Sequence, residues 1–276
     1  MKSVVQGWRE HEGVFQVTTP SQARFTVEAG AYRHPGQAAG PAPMELMLAS
    51  LVTCSGSTIE SVLQKMRQPL DALNVVADAE RAESVPRVYT EITLEFQIAS
   101  TAPEDRLHRA IAVTERVCSA SVMLSHAVAI APRLVAVSPA DAAATRQLRQ
   151  QILRPHQSLD ELAAEEDPAA LWLAAVADGK VVGTVSVGPE PSPDQEAQSP
   201  FRLRAMATAP EMRRRGLGRI LLQAGVAEAR KAGADLLWCS ARVPVAGFYE
   251  AFGFERTSAE YDTEHIGPHV RMSRPL

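Results

Sequence analysis

Arg213-Arg214-Arg215-Gly216-Leu217-Gly218-Arg219 is the stretch on which the reading of this chain turns. It follows the strand-like Arg204-Ala205-Met206-Ala207-Thr208. It opens a segment in which Ile220, Leu221, Leu222 and Val226 form an apolar helical face. A glycine-bearing turn at a helix N-terminus leaves backbone N–H groups unpaired and pointing outward, and the helix dipole reinforces them. Such a cradle suits a pyrophosphate. Arginines beside it add charge and donors, and glycine lets a ligand approach the backbone. Three consecutive arginines on a turn also read as a solvated charge run, so the surrounding sequence has to decide.

Upstream, Leu134-Val135-Ala136-Val137 reads as a strand and Ser138-Pro139-Ala140-Asp141 as a helix entry leading to Leu148 and Ile152. Residues 171–176 and 181–187 flank Asp178-Gly179, a favoured hairpin dipeptide. Residues 189–200 are polar and proline-rich, which marks a surface loop. Then come a strand (201–208), a helix (216–232), a strand (236–240), a short helix around Phe248 and two closing strands. Cys239, in the apolar strand, reads as core.

The order strand, Ala209-Pro210-Glu211-Met212, Arg-x-x-Gly-x-Gly, helix resembles the acetyl-CoA loop of the GNAT acetyltransferases. Gly247-Phe248-Tyr249-Glu250-Ala251-Phe252-Gly253-Phe254 resembles that family's second signature. The resemblance covers residues 133–276. It implies an α/β acyl-CoA N-acyltransferase domain with a mixed, mostly antiparallel sheet, and acetylation of a small primary amine from acetyl-CoA. By position it implies that the backbone of Met206, Ala207 and Thr208 bonds the pantetheine arm. The Met206 N–H would polarise the thioester carbonyl. Arg213, Arg214, Arg215, Gly216, Leu217, Gly218 and Arg219 would hold the pyrophosphate. Tyr249 would protonate the leaving thiolate; packing of the channel is its other reading. His265 and His269, in the tail Glu264-His265-Ile266-Gly267-Pro268-His269, would border the acceptor pocket. No carboxylate carries a motif that marks it as general base. Where the common pattern has an asparagine before the last helix, this chain has Arg242-Val243-Pro244.

The first half has a different pattern. Ile92, Leu94, Phe96 and Ile98 alternate with Thr93, Glu95 and Gln97, as in a half-buried strand. Before it, an apolar segment from Met44 to Met66 reads as a central helix. After it, Leu107, Ala110, Ile111, Thr114, Val117 and Cys118 recur at helical spacing behind Pro103-Glu104. The block reads strands, helix, strands, helix, strand. No flexible linker divides the halves, and the boundary is placed between residues 132 and 133.

Cys54 and Cys118 each fall on an apolar helix, and a buried cysteine is usually a small hydrophobe. Their surroundings point further. Gly40-Pro41-Ala42-Pro43-Met44-Glu45-Leu46-Met47 through Cys54 resembles the central helix of the OsmC/Ohr family. Val117-Cys118-Ser119-Ala120-Ser121 resembles its second cysteine site. The resemblance covers residues 4–137 and implies an α+β domain with long central helices that intertwines two chains into a homodimer. It implies a peroxidatic Cys54, oxidised to a sulfenic acid by an organic hydroperoxide, and a resolving Cys118. The family's peroxidases pair an arginine with a glutamate before the first helix. Here Pro43-Met44 stands near the glutamate position, with Glu45 a step away, and Arg9, Arg24 and Arg33 are arginines without a motif. A dimerisation or ligand-binding module without turnover is the competing reading of this half.

Composition sets outer bounds. The chain has 276 residues, enough for two domains. With 46% apolar and 22% charged residues it is globular and not disordered. A net charge of -4 carries no basic footprint for nucleic acid. Three scattered cysteines make neither a disulfide framework nor, without a C-x-x-C pair, a metal site. Met1 to Arg9 lacks the apolar core of a secretory signal, and the apolar run 44–54 is short for a bilayer span. A cytoplasmic protein without a membrane partner is expected.

Overall fold

The two halves share one sheet. The structure, a computed structural model, describes residues 5–29 and 38–276; the candidate Arg33 lies outside them. A small antiparallel sheet comes first: β1 (Gln6–His11), β2 (Val14–Thr18) and β3 (Arg24–Glu28). Helix α1 (Pro43–Lys65) follows, with Pro43 at its first position and Glu45 accepting from the Ala42 amide at 2.8 Å. Then come β4 (Ala72–Arg81), β5 (Tyr89–Ala99), α2 (Glu104–Val117), α3 (Ser119–Ser125) and β6 (Ala129–Pro139).

The second half continues with α4 (Ala142–Leu153), α5 (Leu159–Ala164), β7 (Leu171–Ala177), β8 (Lys180–Pro189) and β9 (Pro200–Thr208). It ends with α6 (Leu217–Lys231), β10 (Leu236–Arg242), α7 (Ala246–Glu250), β11 (Glu255–Arg256), β12 (Tyr261–Thr263) and β13 (Gly267–Pro275). Asp178 and Gly179, at φ 49° and 74°, make the expected tight hairpin between β7 and β8.

Ten strands form a single sheet in the order β11-β13-β10-β9-β8-β7-β6-β5-β4, with β12 on β13. Among the described residues only β5·β6 and β9·β10 are parallel, so the sheet is mixed and mostly antiparallel, as expected. The anticipated boundary at residues 132/133 falls inside β6. That strand pairs with β5 on one side and β7 on the other. Two apolar cores lie side by side. One is built on α1, α2, β4 and β5, the other on α6 and strands β6 to β10.

The central helix expected over 44–66 is α1 (Pro43–Lys65), 23 residues, long and apolar enough to cross a membrane by length and composition, a test that core helices also pass. Thr53, Thr58 and Ser61 bond back to carbonyls one turn earlier, which satisfies their hydroxyls within the helix. One expectation needs correction, that of a half-buried β5: Glu95 and Gln97 are 0% exposed, like Phe96 and Ile98. The face read as solvated is covered by α6, which packs on β4 and β5 as well as on β7 to β9.

Candidate active site

Strands β9 and β10 part company. Their parallel pairing runs from Pro200/Leu236 to Leu203/Cys239 and stops there, while β9 continues to Thr208 along β8 alone. A bulge interrupts that remaining ladder: Ala205 and Met206 stand opposite Val185, and Ala205 takes φ 52°. A bulge leaves its extra residue outside the ladder and bends the strand. Met206 therefore sits at the opening, with backbone not committed to a regular β-pairing.

The glycine turn lies beside this opening. Gly216, at φ 83°, caps α6. The amides of Gly216, Leu217 and Gly218 have no backbone acceptor among the described residues, whereas Arg219 and Ile220 already donate to the Gly216 carbonyl. Unpaired N–H groups at a helix N-terminus suit an anion. At Gly218 a Cβ would lie 3.7 Å from both Met206 Cε and the Phe248 ring, so turn, opening and α7 meet at one place. Leu217 is wholly buried, which leaves only its backbone to face a ligand; Arg213, Arg214 and Arg219 are exposed around the turn.

Arg215 behaves differently from the expectation that placed it on the pyrophosphate. Its guanidinium donates to Asp78 Oδ2 at 2.8 Å and lies 3.6 Å from Glu95 Oε1. Its carbonyl accepts from Asn74 Nδ2 at 3.1 Å and Gln97 Nε2 at 3.0 Å. Arg215 belongs to the joint with the first half, and these partners hold its charge away from the turn's mouth.

A cavity of about 450 Å³ opens on the same side, walled by α4, α5, β8, β9, β10 and the closing strands. Tyr249 and Met206 both line it, and the Tyr249 hydroxyl lies 3.5 Å from Met206 Sδ. Burial, with a smaller contribution from Cys239, raises the Tyr249 phenol far above its usual range, so it keeps its proton. His269 is also in the wall, 7% exposed, with Nδ1 at 2.8 Å from the Gly267 carbonyl. Donation from Nδ1 leaves Nε2 as the ring's acceptor. His265 is not in the cavity wall; it is exposed and rests 5.1 Å from the His156 ring. Cys239 is buried in the core as expected, and burial pushes its thiol up to about 12.

The first half seats its second cysteine against the helix that carries the first. Cys118 stands between α2 and α3, 0% exposed, with Ser55 Oγ at 3.4 Å from its sulfur. Ser55 in turn meets Ser121 Oγ at 3.2 Å. Burial alone would raise the Cys118 thiol. Hydrogen bonds from Ser121, Ser55 and the Cys54 thiol outweigh it and lower the group to about 7. Cys54, one helical position before Ser55, is partly exposed. No arginine contributes to this shift among the described residues; Arg9 and Arg24 lie exposed on β1 and β3. Sequence reasoning found both cysteines but missed Ser55 and Ser121, whose only signal was proximity to a cysteine in sequence.

Comparison with known proteins agrees with this division. The family described as OsmC-like protein matches residues 35–133, and the Acetyltransferase (GNAT) family matches residues 141–254. The uncharacterized N-acetyltransferase YitI of Bacillus subtilis is 32% identical over 134 residues, which is 48% of this chain and 90% of that protein. Protein YhfA of Escherichia coli is 37% identical over 92 residues, 33% of this chain and 69% of that protein. A crystal structure of an OsmC-like protein from Mycoplasma pneumoniae is 18% identical, covers 49% of this chain and 97% of its own, and has a TM-score of 0.45. The chain thus belongs to the GNAT acetyltransferase family through its C-terminal half and to the OsmC-like proteins through its N-terminal half.

Proposed function

We propose that the C-terminal half transfers an acetyl group from acetyl-CoA to a small primary amine held in the 450 Å³ cavity. The observation that carries this reading is the parting of β9 from β10 beyond Leu203 and Cys239, directly beside the three free amides of the Gly216 turn. Acetyl-CoA supplies an activated acyl group as a thioester. The amides of Gly216, Leu217 and Gly218, with Arg213, Arg214 and Arg219 around them, hold its pyrophosphate; Met206, Ala207 and Thr208 offer backbone to its arm. The Met206 N–H polarises the thioester carbonyl. As the amine nitrogen bonds to that carbon and the carbon–sulfur bond breaks, Tyr249 gives its proton to the departing sulfur. His269 Nε2 accepts the proton that the amine loses. Titration calorimetry with acetyl-CoA, on the native protein and on Gly216→Val, tests the cradle: tight binding lost in the variant is the expected result, and equal binding refutes it.

A second activity is supported by one further observation: Cys118 Sγ lies 3.4 Å from Ser55 Oγ, the residue that follows the partly exposed Cys54 on α1. Cys54 is the accessible thiol and Cys118 the acidic one. Cys54, as its thiolate, attacks the outer oxygen of an organic hydroperoxide; the sulfur becomes a sulfenic acid, the O–O bond breaks, and the leaving alkoxide takes up a proton from water to depart as an alcohol. Cys118 then displaces water from the sulfenic acid to form a disulfide, which an external dithiol reduces. Thiol counting and intact mass after a stoichiometric hydroperoxide test this: loss of two thiols supports it, and persistent thiols leave this half a binding or dimerisation module.

The first half also favours a homodimer. Val5, Trp8 and Phe15 near and on the small sheet are exposed, as are Met47 on α1 and Val117, Val122 and Met123 around α3. The small sheet shares no strand with the large one. A second chain laid against these faces would cover them. Sedimentation equilibrium distinguishes a dimer from a monomer.

A further inference from the structure

Five arginines face the cavity, and they are not alike. Arg149 pairs with Glu166, and Arg202 and Arg204 both pair with Glu190, Arg202 at 2.7 Å. Arg154 and Arg242 form no ion pair among the described residues. Each is partly buried, and each donates to the same neutral acceptor, the Leu153 carbonyl, at 3.2 Å. Sharing one oxygen brings two guanidinium groups into close proximity.

The remaining acids of the wall relieve them only in part and, among the described residues, form no ion pair with either. Glu165 accepts from Gln157 at 2.6 Å, and Asp167 accepts from the Ala169 amide at 2.8 Å. Burial is the main influence lowering the Arg154 guanidinium; Glu165 opposes it, and Arg242 and Arg204 add to it. Like charges in a half-buried wall cost free energy unless an anion joins them. The cavity also has donors to spare: Nε of Arg149, a residue 6% exposed, has no acceptor.

We propose that the acceptor amine carries a carboxylate, and that Arg154 and Arg242 together bind it at the end of the cavity where α4 meets the end of β10. The inference rests on the cavity being the acceptor end of the acetyltransferase site. Guanidinium groups present paired donors that match a carboxylate's two oxygens. The three acids on the same wall disfavour a phosphate dianion. With its carboxylate fixed there, the substrate directs its amine toward Met206 and Tyr249. Arg242 is thus a specificity residue, standing where the family's usual pattern differs.

Two measurements on the full chain decide this. In a chloride-poor buffer, succinate should raise the Tm of the native protein by about 3 °C or more. Neutral succinamide should not, and Arg154→Gln and Arg242→Gln should each abolish the response. Acetylation of the L-amino acids and of the matching L-amino-acid amides should favour the acids by at least about tenfold in kcat/KM. Each arginine variant should raise KM for the acids about tenfold or more while leaving the acetyl-CoA Kd unchanged. A succinate response that survives in both variants, acids no better than amides, or stabilisation by inorganic phosphate and not by succinate would each overturn the proposal. Failure of the native protein to bind acetyl-CoA would refute the acetyltransferase reading instead, and the succinate response would still decide whether the two arginines form an anion site.

Discussion

Arg215 Nη1 donates to Asp78 Oδ2 at 2.8 Å, joining the glycine turn of the second half to strand β4 of the first. Behind this exposed bond lies a buried one. Glu95, wholly out of solvent, has Arg215 on one side and Arg133 Nη1 at 3.4 Å on the other. Asn74 and Gln97 close the network on the Arg215 carbonyl. The glycine turn proposed to hold the pyrophosphate is therefore positioned by residues of the OsmC-like half.

Removing either partner should have unequal effects. Arg215→Ala takes one of two cations from a fully buried carboxylate and should destabilise the protein by about 2–3 kcal/mol, or a Tm loss of about 5 °C. Asp78→Asn removes a carboxylate that is 63% exposed and should cost under about 1 kcal/mol. Thermal melts of both variants check this; equal losses would place the joint's strength in the exposed bond.

Gly216 is constrained twice. Its φ of 83° disfavours any side chain, and a Cβ would fall 2.5 Å from Asn74 Nδ2. Gly216→Ala should weaken acetyl-CoA binding at least about tenfold. Adding Asn74→Ala should restore part of the loss by removing the clash, leaving the backbone strain of about 1–3 kcal/mol. Calorimetry on the single and double variants separates the two contributions.

Tyr249→Phe should lower kcat about a hundredfold with little change in acetyl-CoA affinity, since only the proton donor is removed. Because burial raises this phenol, it stays protonated throughout the working range. The native pH–rate profile should show no alkaline fall assignable to a tyrosine below about pH 10, the ordinary phenol value. Equal turnover in the variant would leave Tyr249 as packing.

The Cys118 thiol is lowered from 9.0 to about 7, so its anion appears as pH rises through about 7 instead of 9. Thiolate absorbance near 240 nm should show that step, attributable to the Cys54–Cys118 pair as a unit. Cys118→Ser should remove it. Ser55→Ala and Ser121→Ala each delete a hydrogen bond to the anion and should move the midpoint upward.

Much of this protein was legible in its sequence because local signals spoke directly. The Asp178-Gly179 turn, the arginine–glycine turn opening α6, the helix behind Pro43 and both cysteines follow from spacing, turn chemistry and motif. What the sequence could not show is which polar residues face one another. Glu95 and Gln97 alternate like surface residues, and only the packing of α6 across the shared sheet buries them. Arg215 looks like its two neighbours, yet Asp78 and Glu95, more than a hundred residues away, take its charge. Arg154 and Arg242 likewise carry no local mark; they become a pair because α4 and β10 end at the same carbonyl. Periodicity and motif report each residue's own neighbourhood. Charge pairing and burial depend on contacts between distant segments, so tertiary structure alone decides them.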